Sequence, residues 1–131
     1  MPEISGILET ALYVDDIQRS TQFYQTVFGL QVIDSSPRLC AMDIAPRQVL
    51  LLFKKGGSAQ LPLTATDGAG RLHLAFAIPS SELDAWEAWL KECGVAIEEK
   101  KTWQRGGRSL YFRDPDGHLL ELATPGVWSN Y

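Results

Sequence analysis

Cysteine is scarce in this sequence of 131 residues, in which only Cys40 and Cys93 occur. Two cysteines are too few for a disulfide framework, and they lack the spacing of structural zinc sites. No stretch approaches the roughly 18 consecutive apolar residues that a membrane-spanning helix needs. The N-terminal MPEISGIL lacks the basic and apolar regions of a signal peptide. We therefore expect a protein of the reducing cytoplasm with no membrane partner.

Basic side chains are also few and scattered, since 12 Lys and Arg against 16 Asp and Glu give a formal net charge of −4. A nucleic-acid-binding surface needs clustered cations, so we expect no nucleic-acid partner. The glycine pairs at 56–57 and 106–107 are not followed by the rest of a phosphate-binding motif, and no Ser-His-Asp arrangement is indicated. The composition, with 45% apolar and 21% charged residues, is nevertheless that of an ordinary folded domain. Small molecules and other protein chains remain as expected partners.

The first half of the chain predicts a βαβββ unit. Its helix is predicted from Ile17 to Phe28, because apolar residues recur there at helical spacing. Asp15 or Asp16 can cap the start of this helix, and Gly29 can end it. Apolar runs separated by turn-forming residues predict strands at 7–14, 31–34, 39–44 and 49–53. The following segment, 55–70, carries four glycines and predicts a linker.

The second half predicts the same βαβββ order again. Its helix is expected to begin with Ser80 or Ser81 as the cap and to continue to about Cys93. Strands are predicted at 72–78, 95–101, 109–113 and 118–123. Short stretches correspond in order between the halves, for example ETALYV and HLAFAI. Repeats at about 5–54 and 71–124 are each too small to bury a core alone, so they should pack as one unit or pair across a dimer. We expect a single domain over 1–131.

Three predicted strands each carry one metal-competent side chain on the face opposite their bulky apolar residues. These side chains are Glu9 on the first strand, His73 on the fifth and Glu121 on the eighth. Alanines beside them leave room for a ligand. One imidazole and two carboxylates can hold a divalent metal and leave positions open for substrate, if the strands line one cavity. Taken singly, each residue is also compatible with an ordinary core histidine or a solvent-facing glutamate.

Three segments carry a resemblance to a known family: YVDDIQRSTQFYQTVFGLQV at 13–32, HLAFAIP at 73–79 and SLYFRDPDGHLLEL at 109–122. Together they resemble the vicinal oxygen chelate superfamily of glyoxalases, bleomycin resistance proteins and extradiol dioxygenases. The resemblance covers about residues 4–125. It implies an α+β fold in which two βαβββ modules form an eight-stranded cup, and in which strands one, four, five and eight supply metal ligands.

Carried onto this chain, the resemblance places metal ligands at Glu9, His73 and Glu121, while the fourth-strand position is Leu51. Glu9 stands where many members of the family have histidine. Leu51 removes the fourth ligand of glyoxalase I and the related epimerases. A site with three ligands resembles those of the dioxygenases and the fosfomycin-modifying enzymes. Its second carboxylate should favour Mn²⁺ or Fe²⁺, with Zn²⁺ or Ni²⁺ as alternatives.

The resemblance implies two classes of function. The first is a metal-dependent enzyme, a lyase or oxidoreductase that isomerises, cleaves a ring in, or opens an epoxide of a small oxygen-bearing substrate, with Glu121 and Glu9 as catalytic residues. The alternative is a metal-free binding protein of the bleomycin resistance type. The residues expected at the substrate are Ser109, Tyr111, Arg113, Trp103 and Arg108. In both cases a homodimer is expected, because pairing would cover open sheet edges.

Two further expectations concern the end of the chain. The final TPGVWSNY lacks the basic residues that fosfomycin thiol transferases place after their last strand, which argues against that particular activity. His118, after the DPDG turn, is expected either at the surface or behind the metal ligands.

Overall fold

The computed structural model describes residues 1–57 and 67–131, and it divides into two units, Met1–Gly70 and Arg71–Tyr131. Each unit has the predicted βαβββ order, so the expected fold class is confirmed. The middle of the predicted linker, 58–66, lies outside the described residues. Neither helix in the described part of the chain is long and apolar enough to cross a membrane.

The first unit holds one helix and a four-stranded mixed sheet. Its elements are β1 (Glu9–Val14), α1 (Ile17–Phe28), β2 (Gln31–Ser36), β3 (Leu39–Ala45) and β4 (Gln48–Lys54). The sheet order is β1-β4-β3-β2, with β1 parallel to β4. The predicted bounds of α1 are confirmed, because the Asp16 carboxylate accepts a hydrogen bond from the Arg19 amide at 3.0 Å and Gly29 ends the helix with φ of 69°.

The second unit repeats this arrangement with different residues. Its elements are β5 (His73–Ala77), α2 (Leu83–Glu92), β6 (Glu99–Thr102), β7 (Arg108–Arg113) and β8 (Leu119–Ala123). The sheet order is β5-β8-β7-β6, with β5 parallel to β8. The strand predicted at 95–101 is shorter and lies later in the chain, at Glu99–Thr102, although the Glu98 amide already donates to the carbonyl of Tyr111 at 2.8 Å.

The predicted serine cap of the second helix is wrong. A single 3₁₀ turn, Ser80–Glu82, precedes α2, and the helix has no side-chain cap. The Glu82 amide instead donates to the carbonyl oxygen of Pro79 at 3.0 Å. The backbone itself therefore satisfies a donor from which a cap at Ser80 was expected to accept.

The two sheets share one register, as the sequence repeat predicts. Each first strand begins with a polar residue, Glu9 or His73, and an alanine follows two positions later. That alanine pairs with Leu51 in the first sheet and with Glu121 in the second. Glu9 and His73 therefore occupy corresponding positions, and Leu51 stands where the second sheet carries a carboxylate.

Alternation along the strands of the second sheet separates packing residues from site residues. Leu110, Phe112, Leu120 and Leu122 are at most 1% exposed and belong to the core. Burying a side chain of this kind stabilises the fold by about 1.5–3 kcal/mol. The intervening positions of β7 and β8 point the other way, and they carry the polar residues of the candidate site.

Candidate metal centre

His73 and Glu121 meet across neighbouring parallel strands. The Nε2 atom of His73 lies 3.2 Å from Oε2 of Glu121. Glu121 is buried, whereas the side chain of His73, on the edge strand β5, is 49% exposed. A buried carboxylate beside an accessible imidazole forms a site that a solvent-borne ligand can reach.

The orientation of the imidazole follows from its second nitrogen. His73 Nδ1 lies 2.9 Å from the carbonyl oxygen of Leu119. A carbonyl oxygen can only accept, so Nδ1 carries a proton and donates it. In a neutral ring Nε2 then presents a lone pair to the carboxylate of Glu121. The lone pairs of Nε2 and Oε2 repel each other at 3.2 Å unless a positive charge attracts both atoms. That charge is either a second proton on the ring or a metal ion.

The other oxygen of Glu121 is held by a chain of hydrogen bonds. The Ser109 hydroxyl donates to Oε1 of Glu121 at 2.5 Å. The indole Nε1 of Trp103 donates to the same hydroxyl oxygen at 2.8 Å. Ser109 is only 1% exposed, so its hydroxyl acts on Glu121 rather than facing solvent. The sequence predicts Ser109 and Trp103 as substrate contacts, but it does not predict the hydrogen bond between them.

Tyr111 lies opposite Glu121 in the pairing of β7 with β8, and its ring stacks on His73 with centroids 6.3 Å apart. Burial raises the pKa of Tyr111, and the hydrogen bond to Glu121 and the negative charge of that carboxylate raise this pKa further. The nearby Ser109 hydroxyl acts in the opposite direction on this pKa, although its hydrogen is donated to Glu121. Tyr111 is therefore a neutral phenol that can donate a hydrogen bond at the site.

The raised pKa of Tyr111 leads to a prediction about the pH at which its phenol ionises. We expect its phenol to ionise above the ordinary value of 10.0, and Glu121→Gln to move the midpoint back toward that value without reaching it, because burial remains. Above about pH 10 the unfolded chain loses this proton before the folded chain does, so the free energy of unfolding should fall as pH rises further. Tyrosinate absorbance of wild type minus Tyr111→Phe isolates the transition. A midpoint equal to that of an exposed tyrosine would contradict the prediction.

His118 is buried, which corrects the expectation that it could lie at the surface. Its Nδ1 accepts the backbone N–H of Leu72 at 2.9 Å, and its own amide donates to Asp114 at 2.9 Å. His118 therefore fixes the residue that precedes His73. The alternation of side chains contained this signal, because His118 lies two positions before Leu120 and so shares the packing face of β8.

The two predicted arginines have partners of their own. Arg113 Nε lies 3.2 Å from both carboxylate oxygens of Glu98, and one terminal nitrogen donates to the carbonyl of Gly117 at 3.1 Å. Arg108 reaches toward Asp84 near the start of α2, with 3.8 Å between nitrogen and oxygen. The structure thus pairs both guanidinium groups with acidic side chains other than Glu121. Their contact with substrate stays a prediction.

Glu9 is the exposed first residue of β1 in the first unit. The position in its own sheet that corresponds to Glu121 is Leu51, and the position that corresponds to Tyr111 is Ala41. Within residues 1–57 and 67–131, no group of three or more His, Cys, Asp or Glu side chains forms a metal-binding cluster. The role of Glu9 as a third ligand therefore stays a prediction.

The residues of the second unit fit a divalent transition metal. An imidazole nitrogen and a carboxylate oxygen are ligands that such metals accept. Each also has the supporting hydrogen bond that metal ligands usually have, from His73 to Leu119 and from Ser109 to Glu121. The arrangement can hold a metal and leave the exposed side of His73 open to another ligand.

Comparison with known proteins decides the family. The model of the Glyoxalase/Bleomycin resistance protein/Dioxygenase superfamily matches residues 6–122. The chain belongs to this superfamily. The resemblance carried by the three sequence segments is therefore confirmed.

Relatives within the superfamily differ in their activities. Metallothiol transferase FosB from Staphylococcus saprophyticus is 30% identical over 122 residues, which cover 92% of this chain and 78% of the relative. Biphenyl-2,3-diol 1,2-dioxygenase 3 from Rhodococcus globerulus is 32% identical over 128 residues, which cover 92% of this chain and 66% of the relative. Similarity at this level therefore supports the family more than any single reaction.

Similar solved structures also belong to proteins with different activities. Lactoylglutathione lyase from Agrobacterium tumefaciens has a TM-score of 0.91 and 31% identity, covering 98% of this chain and 99% of the other. The fosfomycin resistance protein FosX from Listeria monocytogenes, solved as a mutant with Mn(II) and 1S,2S-dihydroxypropylphosphonic acid, has a TM-score of 0.70 and 32% identity, covering 92% and 90%.

Proposed function

We propose that this protein is a metal-dependent enzyme of the superfamily that acts on a small oxygen-bearing substrate. The observation that carries the proposal is the 3.2 Å approach of His73 Nε2 to Glu121 Oε2 while the ring N–H is directed away, to Leu119. This geometry presents two ligand atoms to a cation. A metal-free sequestering protein has no need of such a pair, so the pair favours the enzyme over the binding protein.

His73 and Glu121 would hold the metal through Nε2 and Oε2, and Glu9 from the first unit would complete the set. A metal bound there would serve as a Lewis acid that stabilises negative charge on substrate oxygens. Two carboxylates and one imidazole favour Mn²⁺ or Fe²⁺, with Zn²⁺ or Ni²⁺ as alternatives. The Mn(II) bound by the similar FosX structure supports this assignment.

The chain's own residues supply the remaining functions. Tyr111 keeps its proton, and its phenol would turn from Glu121 to donate a hydrogen bond to a substrate oxygen on which charge develops. Glu9 would act as a general base on the substrate. Ala75 and Ala77 follow His73 on the exposed side of β5, and their small side chains leave room for the substrate.

The reaction class is tested with three substrates. Purified protein loaded with Mn²⁺ or Fe²⁺ is assayed with the adduct of methylglyoxal and glutathione, with a catechol, and with fosfomycin plus a thiol. The proposal expects metal-dependent turnover of at least one of the three, lost on chelation and restored by metal. Metal-independent binding of a flat ligand without turnover would favour the sequestering alternative instead.

A homodimer in the cytoplasm forms part of the same proposal. The edge strand β2 is exposed at every position, and its Val32 and Ile33 are 39% and 57% exposed. An exposed edge of this kind offers unpaired backbone groups with which a second copy of the chain can pair. We expect light scattering to give twice the mass of one chain at micromolar concentration. A mass equal to that of one chain would contradict the dimer without affecting the metal site.

A further inference from the structure

We propose that Trp103 is a positioning residue for Glu121. Its indole N–H fixes the Ser109 hydroxyl, and this hydroxyl fixes the carboxylate so that only Oε2 is offered to the metal. The inference rests on the proposed function in so far as Glu121 is a metal ligand.

The direction of the hydrogen-bond chain is determined by its two ends. An indole nitrogen can only donate, and an ionised carboxylate can only accept. The hydroxyl between them therefore accepts from Trp103 at 2.8 Å and gives its single hydrogen to Glu121 at 2.5 Å. A hydroxyl that received no hydrogen bond from the indole could rotate and donate elsewhere.

This chain also decides which oxygen of Glu121 is available. Oε1 receives the Ser109 hydrogen, whereas Oε2 lies 3.2 Å from His73 Nε2. A hydrogen bond to a charged group is short and strong, so the carboxylate is held in one orientation. Because Ser109 is 1% exposed, water has little access to replace either bond. Together with the hydrogen bond between Tyr111 and Glu121, this chain leaves Oε2 directed toward His73, where a metal would bind.

Trp103 is itself held in place by the loop between β6 and β7. Its amide donates to the carbonyl of Gly107 at 2.7 Å, and its carbonyl accepts from the amide of Gly106 at 2.9 Å. The ammonium group of Lys101 lies 3.8 Å from the centre of the indole ring. The indole therefore starts from a fixed position, which a positioning group requires.

The first test uses metal-free protein. Nuclear magnetic resonance of ¹⁵N-labelled protein resolves indole N–H signals, and Trp103→Phe identifies the signal of Trp103. We expect this N–H to exchange slowly with solvent. Ser109→Ala should shift the signal and speed its exchange, and Glu121→Gln should shift it through the serine. If the signal is the same in both variants, the hydrogen-bond chain is absent and the inference fails.

The second test measures Mn²⁺ affinity by calorimetry. Trp103→Phe keeps an aromatic ring but removes the donor, and we expect it to weaken Mn²⁺ binding about 10-fold. Ser109→Ala should weaken binding by a similar factor, and the double variant should be little worse than either single variant, because all three break one chain. Trp128→Phe is the matched control, since Trp128 is 68% exposed, and should bind as wild type does.

The outcomes separate this inference from the proposed function. Wild-type affinity in Trp103→Phe would overturn the positioning role alone. If the wild-type protein binds no divalent metal, the proposed function fails and the positioning role fails with it, even where the resonance experiment shows the hydrogen bonds. Equal weakening by Trp128→Phe would also overturn the inference, because the effect would not belong to the chain of hydrogen bonds.

Discussion

Glu121→Ala is expected to lose most of the bound metal while the protein stays folded. The variant removes one of the two ligand atoms that converge on the site, and we expect metal affinity to fall by at least about 100-fold, more than a supporting residue would cost. Folding should survive because Leu120 and Leu122 carry the packing face of β8. Metal content by elemental analysis, measured beside circular dichroism, checks both statements.

Glu92→Ala provides the matched control for this variant. Glu92 is the exposed last residue of α2, so its removal takes away the same charge without touching the site. The control should keep the wild-type metal content. Full metal content in Glu121→Ala would show that Glu121 is not a metal ligand. Loss of metal in both variants would point to the change in net charge as the cause.

Gly107→Ala is expected to destabilise the protein strongly. A β-carbon at this position would overlap backbone atoms of Gly126 and Val127, which lie against the loop that carries Trp103. Backbone cannot move aside as a flexible side chain can, so the loop must separate from the C-terminal segment. We expect a loss of about 3 kcal/mol in the free energy of unfolding.

Urea denaturation measures the effect of Gly107→Ala, and the indole signal of Trp103 reports whether the loop has moved. Replacing the exposed Thr102 with alanine, just before the same loop, should cost far less. Unchanged stability in Gly107→Ala would contradict the close backbone contact between the loop and the C-terminal segment.

Local signals explain why the first helix was predicted with its full bounds. The residues that start and end it, Asp16 and Gly29, act within one turn of their own positions. The start of the second helix was predicted wrongly. Ser80 and Ser81 have side chains that can cap a helix, but both residues lie in a 3₁₀ turn that precedes it. Sequence alone does not show which of two local solutions the backbone adopts.

The candidate site also has one part that the sequence predicts and one part that it does not. Strand alternation and the repeat predict that His73 and Glu121 face one side of a sheet, and the register of β5 and β8 brings them together. The contact between Trp103 and Ser109 could not be predicted, since it depends on the course of the loop between β6 and β7 and on two side-chain rotamers. Glu9 lies in the other unit, and its contribution stays a prediction.

The central claim is that this chain binds a divalent metal through His73 and Glu121. The most direct measurement is elemental analysis of wild-type protein purified without chelators, followed by titration of the metal-free protein with Mn²⁺, Fe²⁺, Ni²⁺ and Zn²⁺. We predict that one of these ions binds to each chain, and that His73→Ala binds none of them tightly. Wild-type protein that takes up none of the four metals would contradict the claim, and the metal-free binding function would take its place.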